Sequence, residues 1–177
     1  LHLDRCLTCR SCETTCPSGV RYSHLLDIGR RVVEEKLPRK GRDALMRTVL
    51  REALTRPQVF GPAVKLGQML RPLLPSGLAD KLPPEVSGAA RPWPAKTPHP
   101  RRMLALAGCV QPALAPNINA ATARVLDRLG IALFEATRAG CCGAVRFHLN
   151  DQDGARDDMR RNIDAWWPYV ESGVEGI

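Results

Sequence analysis

The stretch Cys6-Leu7-Thr8-Cys9-Arg10-Ser11-Cys12-Glu13-Thr14-Thr15-Cys16-Pro17 constrains this chain more than any other, with four thiols inside eleven residues closed by a proline. Two-residue gaps let three consecutive thiolates wrap one corner of a metal–sulfur cubane, while the three-residue gap and the proline carry the fourth thiolate away. Four thiolates could also hold a tetrahedral zinc, but zinc pairs usually stand a dozen or more residues apart and this run is continuous. Four buried structural thiols are a third and weaker reading. The spacing therefore marks Cys6, Cys9, Cys12 and Cys16 as metal ligands, for iron–sulfur ahead of zinc.

In two-cluster ferredoxins the fourth cysteine of such a run ligates the other cluster, so a complete pair needs a second run. No second run is present, and the chain begins at Leu1, not at a methionine, five residues before Cys6. The expectation is that Cys6, Cys9 and Cys12 hold one cluster and Cys16 serves a neighbour. That neighbour's run would precede Leu1 in a longer reading frame of which these 177 residues are an internal piece. Arg5, Arg10 and Arg21 bring positive charge to the run and favour the reduced, more negative cluster.

Seven cysteines grouped as four, one and two do not form the framework of a disulfide mini-protein, and a reducing, cytosolic setting fits them better. No apolar run reaches the roughly 18–20 residues of a membrane-spanning helix, and no signal-peptide pattern opens the chain. The expected location is cytoplasmic, with at most peripheral contact at the inner face of the plasma membrane. The net charge of +8 is uneven: residues 1–102 carry 19 Lys and Arg against 9 Asp and Glu, and residues 103–177 carry 7 against 9. Scattered single cations with few aromatic residues argue against nucleic acid. An acidic partner subunit, anionic lipid or a merely solvated surface accounts for the basic half.

Residues 22–36 place Tyr22, Leu25, Leu26, Gly29, Val32 and Val33 at helical steps, and Asp43 to Leu54 repeats the pattern. With the cysteine loop these make a small helical ferredoxin-like unit, residues 1–56. Ten of the fifteen prolines lie between Pro57 and Pro100. Residues 57–100 therefore read as an extended connector, with one short helical stretch around Val64 to Leu74 and a stiff polyproline tail from Arg91 to Pro100. Trp93 is available to anchor that tail on a domain surface.

From Arg101 the pattern changes. Met103 to Ala107 reads as a buried strand and Ile131 to Phe134 as a second. Between them Ile118, Ala121, Val125 and Leu129 form one helical face, with Asn117 as N-cap and Gly130 as the C′ stop. A last helix begins at Asn150 or Asp151 with Ala155, Met159, Ile163 and Trp166 or Trp167 as its buried stripe, and Pro168 bends or ends it. Strand, helix, strand, helix gives a short parallel sheet, and residues 173–177 read as the start of a third strand. The fold class is α+β overall: the helical unit, the Pro-rich connector, and an α/β (βαβα) domain over residues 101–177.

Parallel strands place Cys109 and the vicinal Cys141-Cys142 after the carboxyl ends of successive strands, so the three thiols are expected at one sheet edge. Adjacent cysteines seldom form an unstrained mutual disulfide, and Gly140 and Gly143 allow a tight turn that aims both thiols at one object. A metal or cluster site and a metal-free redox pair both remain open on these residues. Cys109, then 31 intervening residues, then Cys141-Cys142-Gly143 resembles the first part of the CCG domain of heterodisulfide reductase subunits and their relatives. Taken with Ala107-Gly108-Cys109-Val110-Gln111-Pro112 and the first run, the chain resembles the iron–sulfur subunits of glycolate oxidase within that family.

The resemblance implies [4Fe–4S] clusters held by Cys6, Cys9, Cys12 and Cys16 and by Cys109, Cys141 and Cys142, and no catalytic residue in this chain. It implies FAD in a partner subunit that oxidises glycolate to glyoxylate. It also implies electron transfer from that flavin to a membrane quinone or another acceptor, so that the chain is the non-flavin subunit of an oxidoreductase acting on CH–OH donors. The first ferredoxin run, the closing cysteine of this CCG motif and the second CCG copy are not in the sequence. The alternatives are a thiol–disulfide redox enzyme of heterodisulfide reductase type, a relay subunit of a lactate or glycerol-3-phosphate dehydrogenase, and a zinc-stabilised interaction module. No serine triad, phosphate loop or dinucleotide fingerprint points to chemistry of another class.

Overall fold

A short 3-10 turn, His2–Arg5, and one turn of helix, α1 (Ser11–Thr14), frame the cysteine run in the computed structural model, which describes residues 2–80, 82, 92–94 and 99–177. The two helices expected next are α2 (Tyr22–Lys36) and α3 (Gly41–Leu54). Arg39 lies at their corner and gathers Asp4 at 2.8 Å, Glu34 at 2.9 Å and Asp43 at 3.1 Å, tying the amino-terminal turn to both helices.

The proline-rich segment differs from the extended connector that the sequence suggests. Residues Pro57–Met69 form a regular helix, α4, and Ser76–Ala79 a further turn, α5. Pro57 occupies the first helical position, where its missing N–H has no partner to lose, and Pro62 falls just past the first turn, where it removes one bond from the ladder. Packing on α3 and on a later turn, with Val64 buried between them, stabilises the helix against that loss. Half of the expected polyproline tail, residues 91 and 95–98, lies outside the described residues; Trp93 and Pro94 border a cavity along the second strand.

Strand β1 (Arg101–Ala105) pairs in parallel with β2 (Ile131–Glu135), Arg101 opposite Ile131 and Ala105 opposite Glu135. On the other side of β1, Leu104 N–H donates to Gly176 O at 2.9 Å and Glu175 N–H to Arg102 O at 2.9 Å, an isolated parallel bridge beside the two-stranded sheet where the sequence suggests the start of a third strand. Leu104, 2 % exposed, lies at the middle of this core. Helices α6 (Gln111–Leu114) and α7 (Asn117–Arg128) connect β1 to β2, while α8 (Ala144–His148) and α9 (Gln152–Glu171) follow β2. Among the described residues no helix is long and apolar enough to cross a membrane.

Both long helices of this half turn differently from their apolar stripes. In α7, Ala120 and Ala123 face the sheet while Ile118, Val125 and Leu129 are exposed. In α9, Ala155, Asp158, Asn162 and Ala165 are buried and Met159, Ile163 and Trp167 lie outside. Alanines let a helix approach closely, and the polar pair of α9 has partners inside that apolar side chains could not serve. Asn117 is the first helical residue and not the cap, a place taken by Pro116; Gly130 at φ +75° ends α7 as expected. The helix α9 runs through Pro168 to Glu171, because a proline in the last turn removes a single bond near the helix end.

The carboxyl-terminal half docks on the helical half through polar groups. Asn150 Nδ2 donates to Arg30 O at 3.1 Å and Gln152 Nε2 to Asp27 O at 3.0 Å, both on α2. Arg146 reaches Glu52 on α3 at 3.4 Å and also holds Asp151 and Asp158.

Candidate metal centres

The first cysteine loop is built on two left-handed residues. Thr8 at φ +56° and Arg10 at φ +63° alternate with the cysteines, and Asn150 is the other non-glycine residue of that conformation among the described residues. Each such residue costs roughly 1–2 kcal/mol, more for β-branched threonine, so the loop holds strain that regular structure would avoid. Left-handed residues in a short loop let backbone N–H groups turn toward anions and iron–sulfur groups, and here the Ser11 amide bonds Cys9 and the Val20 and Ser18 amides bond Cys16. A cavity of about 300 Å³ lies against the loop, lined by Cys6, Cys12, Leu3, Tyr22, Leu25 and Leu26.

Side chains on α1 and α2 hold the loop. Arg30 donates to Leu3 O at 2.9 Å and to Cys6 O at 2.9 Å, anchoring the first cysteine from behind. Glu13 accepts from Ser23 N–H at 2.7 Å and pairs with Arg10, and these bonds, Ser23 foremost, bring its carboxyl down to about 2. Arg10, expected to lend its charge to the run, is thus partly neutralised. The Ser11 hydroxyl and backbone N–H hold Cys9 below the usual thiol range. Cys16 is lowered by the backbone N–H groups of Val20 and Ser18, with the Tyr22 hydroxyl adding to them. Neither Cys9 nor Cys16 lines the cavity; Tyr22 stands between it and Cys16. Soft thiols, amide donors on Cys9 and Cys16 and an apolar hollow beside Cys6 and Cys12 fit a cluster with sulfur ligands.

The second group gathers at the carboxyl ends of β1 and β2. Gly108, at φ +76°, turns the chain after β1 and leads into Cys109, whose Sγ lies 3.6 Å from Cys141 Sγ. Burial first, then Cys141, pushes the Cys109 thiol up to about 11. Cys142 is exposed, although its charge is felt at Cys109. The structure therefore brings two of the three expected thiols into contact and turns the third outward. Among the described residues no three Cys, His, Asp or Glu side chains are grouped at metal-binding distance. An open cavity of about 700 Å³ adjoins Cys109, walled by Pro112 and Pro116 and by Pro57, Pro62, Leu66 and Met69 of α4. The proline-rich helix is thus a wall of the second site.

Residues remote in sequence shape the Cys141-Cys142 turn. Asn162 accepts from Gly140 N–H at 2.8 Å and donates to Cys141 O at 2.9 Å, and Arg161 reaches the same carbonyl at 3.3 Å. Gly143 has φ +83°, and a Cβ there would stand 2.7 Å from Ala155 O, so this position requires glycine twice over. Sequence reasoning missed Asn162, Arg30, Glu13 and Tyr22. The one available signal was the step Ala155, Asp158, Asn162, Ala165, a small and polar face competing with the larger apolar one.

Residues 103–174 match the CCG cysteine-rich domain family. Over 176 residues, 99% of the chain, the sequence is 56% identical to the glycolate oxidase iron-sulfur subunit of Escherichia coli strain K12, covering 43% of that protein. It is 26% identical over 187 residues to the probable glycolate oxidase iron-sulfur subunit of Bacillus subtilis strain 168, covering 93% of this chain and 42% of that protein. The chain thus spans less than half the length of the curated relatives it matches. No solved structure matches significantly. The chain thus carries a match to the CCG cysteine-rich domain family over residues 103–174 and is similar along nearly its whole length to glycolate oxidase iron–sulfur subunits.

Proposed function

We propose that this chain is an electron-transfer part of an iron–sulfur subunit in a flavin-dependent glycolate oxidase complex. Cys6, Cys9 and Cys12 hold one [4Fe–4S] cluster, Cys16 serves a neighbouring one, and Cys109, Cys141 and Cys142 are ligands at a second centre. Residues 1–56 form the ferredoxin-type unit, 57–100 the connector and 101–177 the CCG domain. Bound clusters would supply one-electron carriage between a partner flavin, reduced by glycolate, and a quinone or other acceptor. FAD belongs to the partner subunit. A cytoplasmic place with peripheral membrane contact accords with the lack of a membrane-crossing helix among the described residues.

The observation that carries this reading is the strained loop of Thr8 and Arg10 over the hollow lined by Cys6 and Cys12. The chain's own part follows from it. Arg30 fixes the Cys6 carbonyl, Glu13 closes the start of α2 on Arg10, and the amides around Cys16 favour its thiolate. Hydrogen bonds and burial around ligand sulfurs set a cluster's potential, and these groups are placed to do so. The contact of Cys109 with Cys141 favours one second reading, a metal-free dithiol couple at the CCG site.

Iron, zinc and acid-labile sulfide per chain, measured with EPR after dithionite reduction on the anaerobically purified full-length subunit, decide among these. Matching iron and sulfide with a reduced-cluster signal, followed by glycolate-dependent reduction once flavin subunits are added, is the expected result. Zinc, or neither metal nor sulfide, would overturn the relay. Iron at the first run alone, with a reversible Cys109–Cys141 disulfide, would select the dithiol couple.

A further inference from the structure

We propose that Asn162 is the positioning residue of the Cys141-Cys142 turn, setting from the middle of α9 which thiol faces Cys109 and which faces outward. The proposal rests on the reading of Cys109, Cys141 and Cys142 as ligands of one centre.

Asn162 is an amide on a long helix, 2 % exposed, where helical periodicity would place an apolar residue. Its carboxamide meets the turn as a neighbouring strand would. The oxygen accepts from Gly140 N–H and the nitrogen donates to Cys141 O, so the two bonds bracket the Gly140-Cys141 pair. Beyond the end of β2 the turn has no ladder partner for these groups, and a buried N–H and C=O must be satisfied somewhere. Asparagine carries a donor and an acceptor side by side on a short stem, and it can satisfy both at once. Arg161 seconds it, holding Asp158 at 2.8 Å and reaching Cys141 O at 3.3 Å.

The consequence reaches the thiols. Holding the peptide before Gly140 and the peptide after Cys141 restrains the short segment between them and with it the Cα–Cβ direction of Cys141. Cys141 then points inward to Cys109, and the next residue, Cys142, points out. Without the carboxamide the turn can rotate, and the distinction between a buried and an exposed thiol is lost. Aspartate at this position keeps the shape but sets an acceptor against the Cys141 carbonyl. Leucine fills the space and satisfies neither group.

The test uses the full-length subunit with Asn162→Asp and Asn162→Leu. In metal-free protein with unchanged helical circular dichroism, iodoacetamide labelling of Cys141 relative to Cys142, followed by peptide mass spectrometry, should rise by about ten-fold or more. In the loaded protein the second centre's EPR signal and its iron should fall, as metal affinity drops by roughly 10–100-fold on losing such a supporting bond, while the first centre is unaffected. Unchanged labelling in folded variants overturns the proposal even if the wild type holds iron. Altered labelling in a protein that never binds iron sustains the positioning role and sinks the cluster reading. Should neither variant fold, hydrogen exchange at the Gly140 amide of the wild type decides: slow exchange is expected, and exchange at the rate of an open loop overturns it.

Discussion

Replacing Gly143 with alanine is the sharpest test of how the CCG turn is built. The backbone there has φ +83°, and the added Cβ would stand 2.7 Å from Ala155 O and 3.3 Å from its carbonyl carbon. The left-handed conformation alone costs an L-residue roughly 1–2 kcal/mol. Forcing a methyl against a backbone oxygen adds about 1–3 kcal/mol, because α9 must shift to admit it. Together the two give about 2–5 kcal/mol, a large share of the 5–15 kcal/mol by which domains are usually stable. Gly108 supplies the control: it has φ +76° with nothing within 4 Å of the added Cβ, so its alanine variant bears only the conformational part, about 1–2 kcal/mol. Equilibrium urea denaturation reads both, the midpoint shifting with the slope unchanged. Gly143→Ala should be the less stable by about 1–3 kcal/mol. Equal midpoints for the two variants would show that α9 does not press on the turn and would refute the reasoning.

Arg30→Met should lower stability by about 2–4 kcal/mol and speed proteolysis near Cys6, with Arg30→Lys recovering part of it, as charged hydrogen bonds to Leu3 O and Cys6 O are lost; full resistance at that site would count against the anchor. Thr8→Gly relieves a left-handed threonine and should stabilise the metal-free protein by about 0.5–1 kcal/mol in urea, whereas a loss of that size would contradict the loop geometry. Glu13, held at about 2 in the folded chain, contributes stability that is complete above the ordinary carboxyl range and is lost as pH falls from about 4.5 toward 2. An acid titration of helical circular dichroism should therefore show that component in the wild type and lack it in Glu13→Gln.

The elements that could be read from sequence are those whose signals are local. The bounds of α2, the turn at Gly130 and both strands follow from periodicity, glycine and short apolar runs. What escaped depends on which face a helix presents. Large apolar residues mark a stripe on α7 and α9, but the residues buried beside the expected Ala155 are Ala120, Ala123 and Ala165, because close approach favours small side chains. Asp158 and Asn162 turn inward because Arg146 and the Cys141 turn need partners, a demand set by residues distant in the chain. The helix α4 was obscured by counting prolines without regard to position, since Pro57 falls at the first helical residue and the one bond lost at Pro62 is offset by packing. Of the candidate site, spacing picks out the thiols, of which Cys109 and Cys141 meet while Cys142 is exposed, and the groups that aim them depend on contacts distant in the chain.

One helix, α9, bears on both halves of the molecule, and the two tasks are separable by experiment. Its first residue, Gln152, donates to Asp27 O on α2 and docks the helical unit, while Asn162 holds the Cys141 turn. Ten residues of helix, at 1.5 Å each, put these contacts about 15 Å apart. Sites that far apart without shared partners usually add within about 0.5 kcal/mol. Gln152→Leu should cost about 0.5–1.5 kcal/mol, since the Asp27 carbonyl remains near other helix donors, and Asn162→Leu about 1–3 kcal/mol, since it strands a buried N–H and C=O. The double variant measured in urea should equal their sum. A shortfall or excess above about 1 kcal/mol would mean that α9 shifts as one body when either end is released. The turn at Cys141 would then respond to how the helical unit is docked, and the two cysteine groups would be mechanically linked through the polar face of a single helix.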